Sequence, residues 1–127
     1  MDKDFKVLYE KAKALAGKKV LNKSVQYAHV GCALLTDKGN IHTGVSIVTK
    51  CDMGFCAEHA AIADMLKNNE SRILKIVAVG KNGIVSPCGR CRELIKQVNY
   101  DNIRTRVMVK ENKVVTLKEL LPYMWVD

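Results

Sequence analysis

The chain has 127 residues, 48% of them apolar and 27% charged, with a formal net charge of +8 and a pI near 9.3. That length suits one domain with interior enough to fold without disulfide staples. No apolar run reaches the roughly 18 residues of a membrane span, and no basic-then-apolar leader or low-complexity tract is seen, so a soluble cytoplasmic protein is expected.

Residues 4–17 set Phe5, Leu8, Tyr9, Ala12, Leu15 and Ala16 at helical spacing, with lysines on the other face and Gly17 as the stop. Residues 30–36 read as a short buried strand, and Asp37-Lys38-Gly39-Asn40 turns it into a hairpin partner over 41–48. A loop over 49–55 leads to a helix over 56–67, rich in Ala, Leu and Met and ended by Asn68-Asn69. Residues 73–79 are nearly all apolar, which indicates a buried strand. The chain turns from Gly80 to Gly83, and Pro87 then stands just before a helix over 88–98. Residues 103–109 alternate as a strand, 112–116 add another, and Leu117 to Leu121 form a short helix stopped by Pro122. This order predicts a three-layer α/β/α domain on a mixed sheet of about five strands.

The charge is spread along the chain, with small groups at Lys11, Lys13, Lys18 and Lys19 and at Arg104, Arg106 and Lys110. Only 6% of residues are aromatic, too few for a platform on which single strands stack. A solvated basic surface is the reading, with nucleic acid not the expected partner.

Five cysteines (Cys32, Cys51, Cys56, Cys88, Cys91) form an odd count, which argues against a disulfide framework. Cys56-Ala57-Glu58 and Pro87-Cys88-Gly89-Arg90-Cys91 each open a predicted helix. A Cys-x-x-Cys places two sulfurs on one helical turn, and a cysteine from another helix start completes three ligands. Three protein ligands leave an open position, which is the catalytic zinc arrangement; a structural site takes four. Helix N-termini favour the thiolate. Zinc at +2 with three thiolates carries a net −1, and that excess needs an offset. Arg90, lying between the ligands, or Arg92 just beyond them are the candidates to donate to sulfur, with His59 a weaker one. Glu58, two residues past Cys56, reaches the open position without being a ligand and there serves as the acid/base. A structural zinc site, with Cys51 or His59 as fourth ligand, and a redox Cys88/Cys91 pair are the competing readings.

At these residues the sequence resembles the cytidine deaminase superfamily, whose three-cysteine variant reads Cys-x-Glu with Pro-Cys-x-x-Cys. The resemblance runs from about Val25 to the end and includes Gly39-Asn40-Ile41, Thr43-Gly44-Val45 and Ser86-Pro87-Cys88-Gly89. The stretch from Gly83 to Arg92, Arg90 itself, and Glu119-Leu120-Leu121-Pro122 with Tyr123 and Trp125 beyond are most similar to the blasticidin S deaminase branch. The resemblance implies one Zn2+ per subunit, a homotetramer, and a small nucleoside-like substrate. The implied reaction is hydrolytic removal of an exocyclic amine from an aminopyrimidine, Glu58 protonating ring N3 and then the departing ammonia. It also implies that the Ala57 backbone orients the ring and that Arg90 balances the zinc charge. The family's ribose-binding Asn-x-Glu pair is replaced by Ser46 and Val48, its ring-packing Phe by Ala28, and the arginine after its catalytic glutamate by His59.

The remaining residues are read more simply. Cys32 belongs in the core and Cys51 is a loop thiol. His42 is expected at the hairpin surface and His29 at the mouth of the site. Tyr123 and Trp125 either stack on the substrate base or pack the last helix or a subunit interface. Nucleic-acid editing and a non-catalytic zinc domain are the rival functions.

Overall fold

The Asp2 carboxylate accepts from the Phe5 amide at 2.8 Å and caps the first helix, α1, which runs Lys3–Leu15. The structure, a computed structural model, describes residues 1–127. After α1 come β1 (Lys19–Val20), β2 (Gln26–Thr36) and β3 (Ile41–Val48), then α2 (Ala57–Lys67), β4 (Ile73–Gly80), β5 (Gly83–Val85), α3 (Gly89–Val98), β6 (Arg106–Lys110), β7 (Lys113–Thr116) and α4 (Leu117–Leu120). No helix is long and apolar enough to cross a membrane.

One seven-stranded sheet holds the molecule together. Its five longer strands run in the order β3, β2, β4, β6, β7, with β4 and β6 parallel and the other pairs antiparallel. Two short strands extend the expected five. Gln26 and Tyr27 pair with both β1 and β3, so β1 lies on the edge of β2 that faces away from β3. Ala78 likewise pairs with Cys32 and Val85, which puts β5 on the β6 side of β4. Segments of two and three residues carry no periodicity to read, which is why the sequence alone did not reveal them.

Strand alternation divides the core. Cys32, Leu34, Ile76, Ala78 and Val107 face α2, α3 and α4, together with Ala61, Ile62, Met65, Ile95 and Leu117. Ala33, Val77, Val79 and Met108 face α1 and meet Phe5, Leu8 and Ala12. The expected three layers follow directly, and Cys32 is fully buried as expected.

Three differences from the sequence reading have local causes. β2 begins at Gln26 rather than at 30, because the ladder to β3 skips between Tyr27 and Gly31 around Ala28, whose φ is 64°. Such a bulge breaks the alternation that marks a strand. Ile103 and Arg104 belong to a 3-10 turn over Tyr100–Arg104 ahead of β6, held by the buried Asn102. That side chain accepts from the Ile73 amide at 2.9 Å and donates to the carbonyls of Ser71 and Ile95 at 3.0 and 2.9 Å. His42 is not a surface residue. It is 6% exposed, with Nδ1 2.8 Å from Asp64 and Nε2 2.8 Å from Glu70. Its position in a hairpin suggested solvent, but the C-terminal end of α2 covers it.

Candidate active site

Two helix starts build the site. Cys56 is the N-cap of α2 and Cys88 the N-cap of α3, and neither sulfur caps its own helix. Both side chains are therefore free for another partner. The loop before α2 is fixed to β3 by paired backbone bonds between Ile47 and Phe55, each 3.0 Å. The segment before α3 is fixed by Arg92, whose Nε donates to the Pro87 carbonyl at 2.7 Å while its other nitrogens reach Ser86 Oγ and the Leu120 carbonyl at 3.2 Å. Arg92 thus serves backbone geometry, and the expectation that it donates to sulfur is corrected.

The sulfurs of Cys56, Cys88 and Cys91 lie within 4.8 Å of one another. Cys56 to Cys88 is 3.6 Å and Cys88 to Cys91 is 3.5 Å. A tetrahedron with zinc–sulfur bonds of about 2.3 Å has edges of about 3.8 Å. The three thiols fit that triangle, and no disulfide joins them. Neither His59 nor Cys51 joins the set, and Cys51 is exposed on its loop. Three ligands with a fourth corner open is the catalytic pattern.

The thiols differ in proton affinity. Burial raises Cys91, and the Glu58 charge adds to it; burial also raises Cys56. At Cys88 burial is outweighed by backbone N–H groups of Cys91 and Arg90 and by the neighbouring thiols, so its pKa is lowered. Glu58 is only 5% exposed, and burial raises its pKa above the usual carboxylate range. It stands on the first turn of α2 beside Cys91, outside the ligand triangle.

His59 takes the place expected of an arginine. Its Nδ1 lies 3.4 Å from Cys91 Sγ, while its ring stacks on Phe55 with centroids 6.5 Å apart. Arg90 is exposed and makes no hydrogen bond to sulfur; its charge, after burial, holds His59 below the ordinary imidazole pKa. The spacing Glu58-His59 was the available signal for this contact: one residue past Glu58, on the same first turn.

The other predicted residues fall in three places. Ala57 is buried as the first residue of α2, where its amide has no intrahelical acceptor. Ser46 is nearly buried, and its Oγ accepts from the Val30 amide at 3.0 Å, closing the gap at the β2 bulge. Tyr123 is fully exposed, and Trp125 lies under Lys96 Nζ at 5.2 Å, eight residues or about 12 Å along α3 from Cys88. His29 lies on the α1 side of the sheet, not at the site mouth: it lines a groove with Tyr9 and Lys13, whereas its neighbour Val30 packs toward α2 and α3.

Residues 3–108 match the family model described as the cytidine and deoxycytidylate deaminase zinc-binding region. Blasticidin-S deaminase of Bacillus cereus is 36% identical over 107 residues, 74% of each chain. A cytidine deaminase of Mycobacterium tuberculosis is 32% identical over 68 residues, 52% of this chain and 51% of that one. The crystal structure of cytidine deaminase from Mycobacterium tuberculosis superposes with a TM-score of 0.79 at 26% identity, covering 98% of this chain and 99% of that one.

Proposed function

The chain belongs to the cytidine and deoxycytidylate deaminase family, and from that premise we propose that it removes the 4-amino group of a cytosine nucleoside or nucleoside analogue. It is a zinc-dependent hydrolytic deaminase, with one zinc held per subunit. The observation that carries the reading is the triangle of Cys56, Cys88 and Cys91 sulfurs, with one corner left open and a buried carboxylate beside it.

When bound, zinc supplies a Lewis acid that activates water at neutral pH. The work of the chain's own residues follows from their positions. Glu58, buried and free of the ligand set, takes the proton from the attacking water and gives it to ring N3; it then takes the remaining hydroxyl proton at C4 and delivers it to the 4-amino group, which leaves as ammonia as the C4 carbonyl forms. The Ala57 amide, unpaired at the start of α2, donates to the ring carbonyl. Two helix N-termini and the His59 imidazole face the thiolates and offset their excess negative charge. Arg90, exposed above them, adds its positive charge to the same site.

Ser46 and Val48 set the substrate class. The Ser46 oxygen already accepts from Val30, which leaves its proton and one lone pair to offer a ligand. The Val48 side chain has no polar atom, and the residue is exposed. A side chain pair of this kind grips ribose hydroxyls poorly, which favours a nucleoside analogue such as blasticidin S over cytidine.

We place the enzyme in the cytoplasm, where five unpaired thiols persist. The assembly we propose is a homotetramer. Val48, Met53 and Phe55 are exposed where the loop before α2 runs along β3, and Tyr123 and Trp125 are exposed near the C-terminus; apolar side chains of this kind suit a neighbouring copy. Light scattering on the eluted protein gives the mass that checks it.

The decisive experiment is ammonia release over cytidine, deoxycytidine, cytosine, their phosphates and blasticidin S, with the wild type and Glu58→Gln. The variant is expected to keep one zinc per chain and lose roughly 100- to 10,000-fold in turnover. Loss of the metal, or full activity, refutes the role given to Glu58.

A further inference from the structure

A groove of about 740 Å3 opens on the α1 face of the sheet, away from the three thiols. It runs between the last turns of α1 and the ends of β2 and β4, and Tyr9, Lys13, Lys18, His29 and Lys81 line it. No carboxylate lines it. Nor does any Asp or Glu pair with Lys13, Lys18 or Lys81, whereas elsewhere Lys67 and Lys96 each hold one and Lys75 holds two. Lys13 complements the negative end of α1, but Lys18 and Lys81 answer no charge within the chain. Three ammonium groups around one concavity, without counter-charge, focus positive potential there.

A second observation points to the same place. His29 Nδ1 is the one buried side-chain nitrogen or oxygen in the molecule without a hydrogen-bond partner. Buried polar atoms are nearly always paired, so an orphan of this kind marks a partner that the chain itself does not supply. The partner that suits both the lysines and this nitrogen carries several negative oxygens.

We propose that this groove binds a phosphate-bearing small molecule, at a site separate from the deaminase centre. Lys13, Lys18 and Lys81 donate to the phosphate oxygens. A turn of the half-buried His29 ring brings Nδ1 out to a further hydrogen bond, and the Tyr9 ring forms the apolar wall. The lysine group noted in the sequence thus has a specific use for two of its members, joined by Lys81 from the far side of the groove. A concavity with three cations suits a pyrophosphate or nucleoside phosphate better than a duplex, which needs a longer track of positive charge.

The test is calorimetric titration of the zinc-loaded protein at low salt with pyrophosphate and, separately, with uridine triphosphate, which has no 4-amino group to remove. Both are expected to saturate at one per chain. Equal affinities assign recognition to the phosphates alone, and tighter uridine triphosphate adds a base contact at Tyr9. Lys18→Gln and Lys81→Gln each weaken binding roughly tenfold, with zinc content and deaminase turnover unchanged. Lys113→Gln on β7 leaves it unaltered. In an imidazole nitrogen spectrum, pyrophosphate shifts the His29 signals and leaves those of His42 in place. Absence of saturable binding, or affinity unaffected by both groove variants, overturns the proposal. So does tighter binding to a duplex oligonucleotide with a salt dependence demanding many more than three phosphate contacts.

Discussion

Gly44 offers the sharpest test of how the fold sets the chemistry. It lies on β3 where α2 crosses, and a Cβ there would stand 2.4 Å from the Ala61 nitrogen, 2.6 Å from Ala60 Cβ and 2.8 Å from the Ala57 carbonyl oxygen. Comfortable contact begins at about 3.5 Å, so Gly44→Ala forces α2 back by about 1 Å. Two of the three obstacles are backbone, and no rotamer change relieves them. α2 carries Cys56 at its start and Glu58 on its first turn, whereas Cys88 and Cys91 ride on α3. The Cys56–Cys88 separation of 3.6 Å then opens to about 4.5 Å, beyond the roughly 3.8 Å tetrahedral edge. Overpacking of this kind costs about 1–3 kcal/mol of stability, and a 1 Å misplacement of reacting groups about 100-fold in rate. The assays are zinc retained against a competing chelator, turnover on the best substrate, and urea unfolding. Gly89→Ala is the control: its Cβ meets nothing within 4 Å, so it is expected to keep zinc and gain slightly in helix stability. Wild-type zinc retention and turnover in Gly44→Ala would refute the claim that this contact sets the site.

Further expectations follow from the same structure. His42 is bonded to two carboxylates; although burial opposes it, these raise its pKa above the usual 6.5. Its contribution is complete below pH 6.5 and fades as pH climbs through the raised value, so wild-type stability by urea unfolding falls there and His42→Gln removes that slope. Glu70, held down to about 2 first by Thr36 and then by His42, contributes above pH 4.5 and loses this as pH falls toward 2. Asn102→Ala leaves the Ile73 amide and the Ser71 and Ile95 carbonyls without their buried partner, a loss of about 3 kcal/mol or more in unfolding free energy. Arg92→Ala removes two tethers from the segment before α3 and a third to the α4 residue Leu120, and is expected to cost about 2 kcal/mol and to speed zinc loss to a chelator. Arg92→Lys restores neither, since a single ammonium cannot span three acceptors.

The order of elements was legible because long segments carry clear periods: Phe5, Leu8 and Ala12 at helical spacing, and the apolar run over 73–79. The short strands β1 and β5 and the bulge at Ala28 were not, since two or three residues hold no period and a bulge breaks it. His42 shows the same limit for burial. A polar residue in a hairpin reads as exposed until the helix that covers it is in place.

The sequence by itself determined the ligand set and its chemistry. Cys56, Cys88 and Cys91, with Glu58 at fixed offset, are local patterns at helix starts that a short window of sequence displays. Only the tertiary structure decided what surrounds them. It set His59 rather than Arg90 or Arg92 against Cys91, turned Arg92 to the backbone, and gave Ser46 to the Val30 amide. It also gathered Lys13, Lys18 and Lys81 around one groove with His29. Those contacts join residues far apart in the chain, and their partners are fixed by how α1, α2 and α3 pack on the sheet, which no short window of sequence encodes.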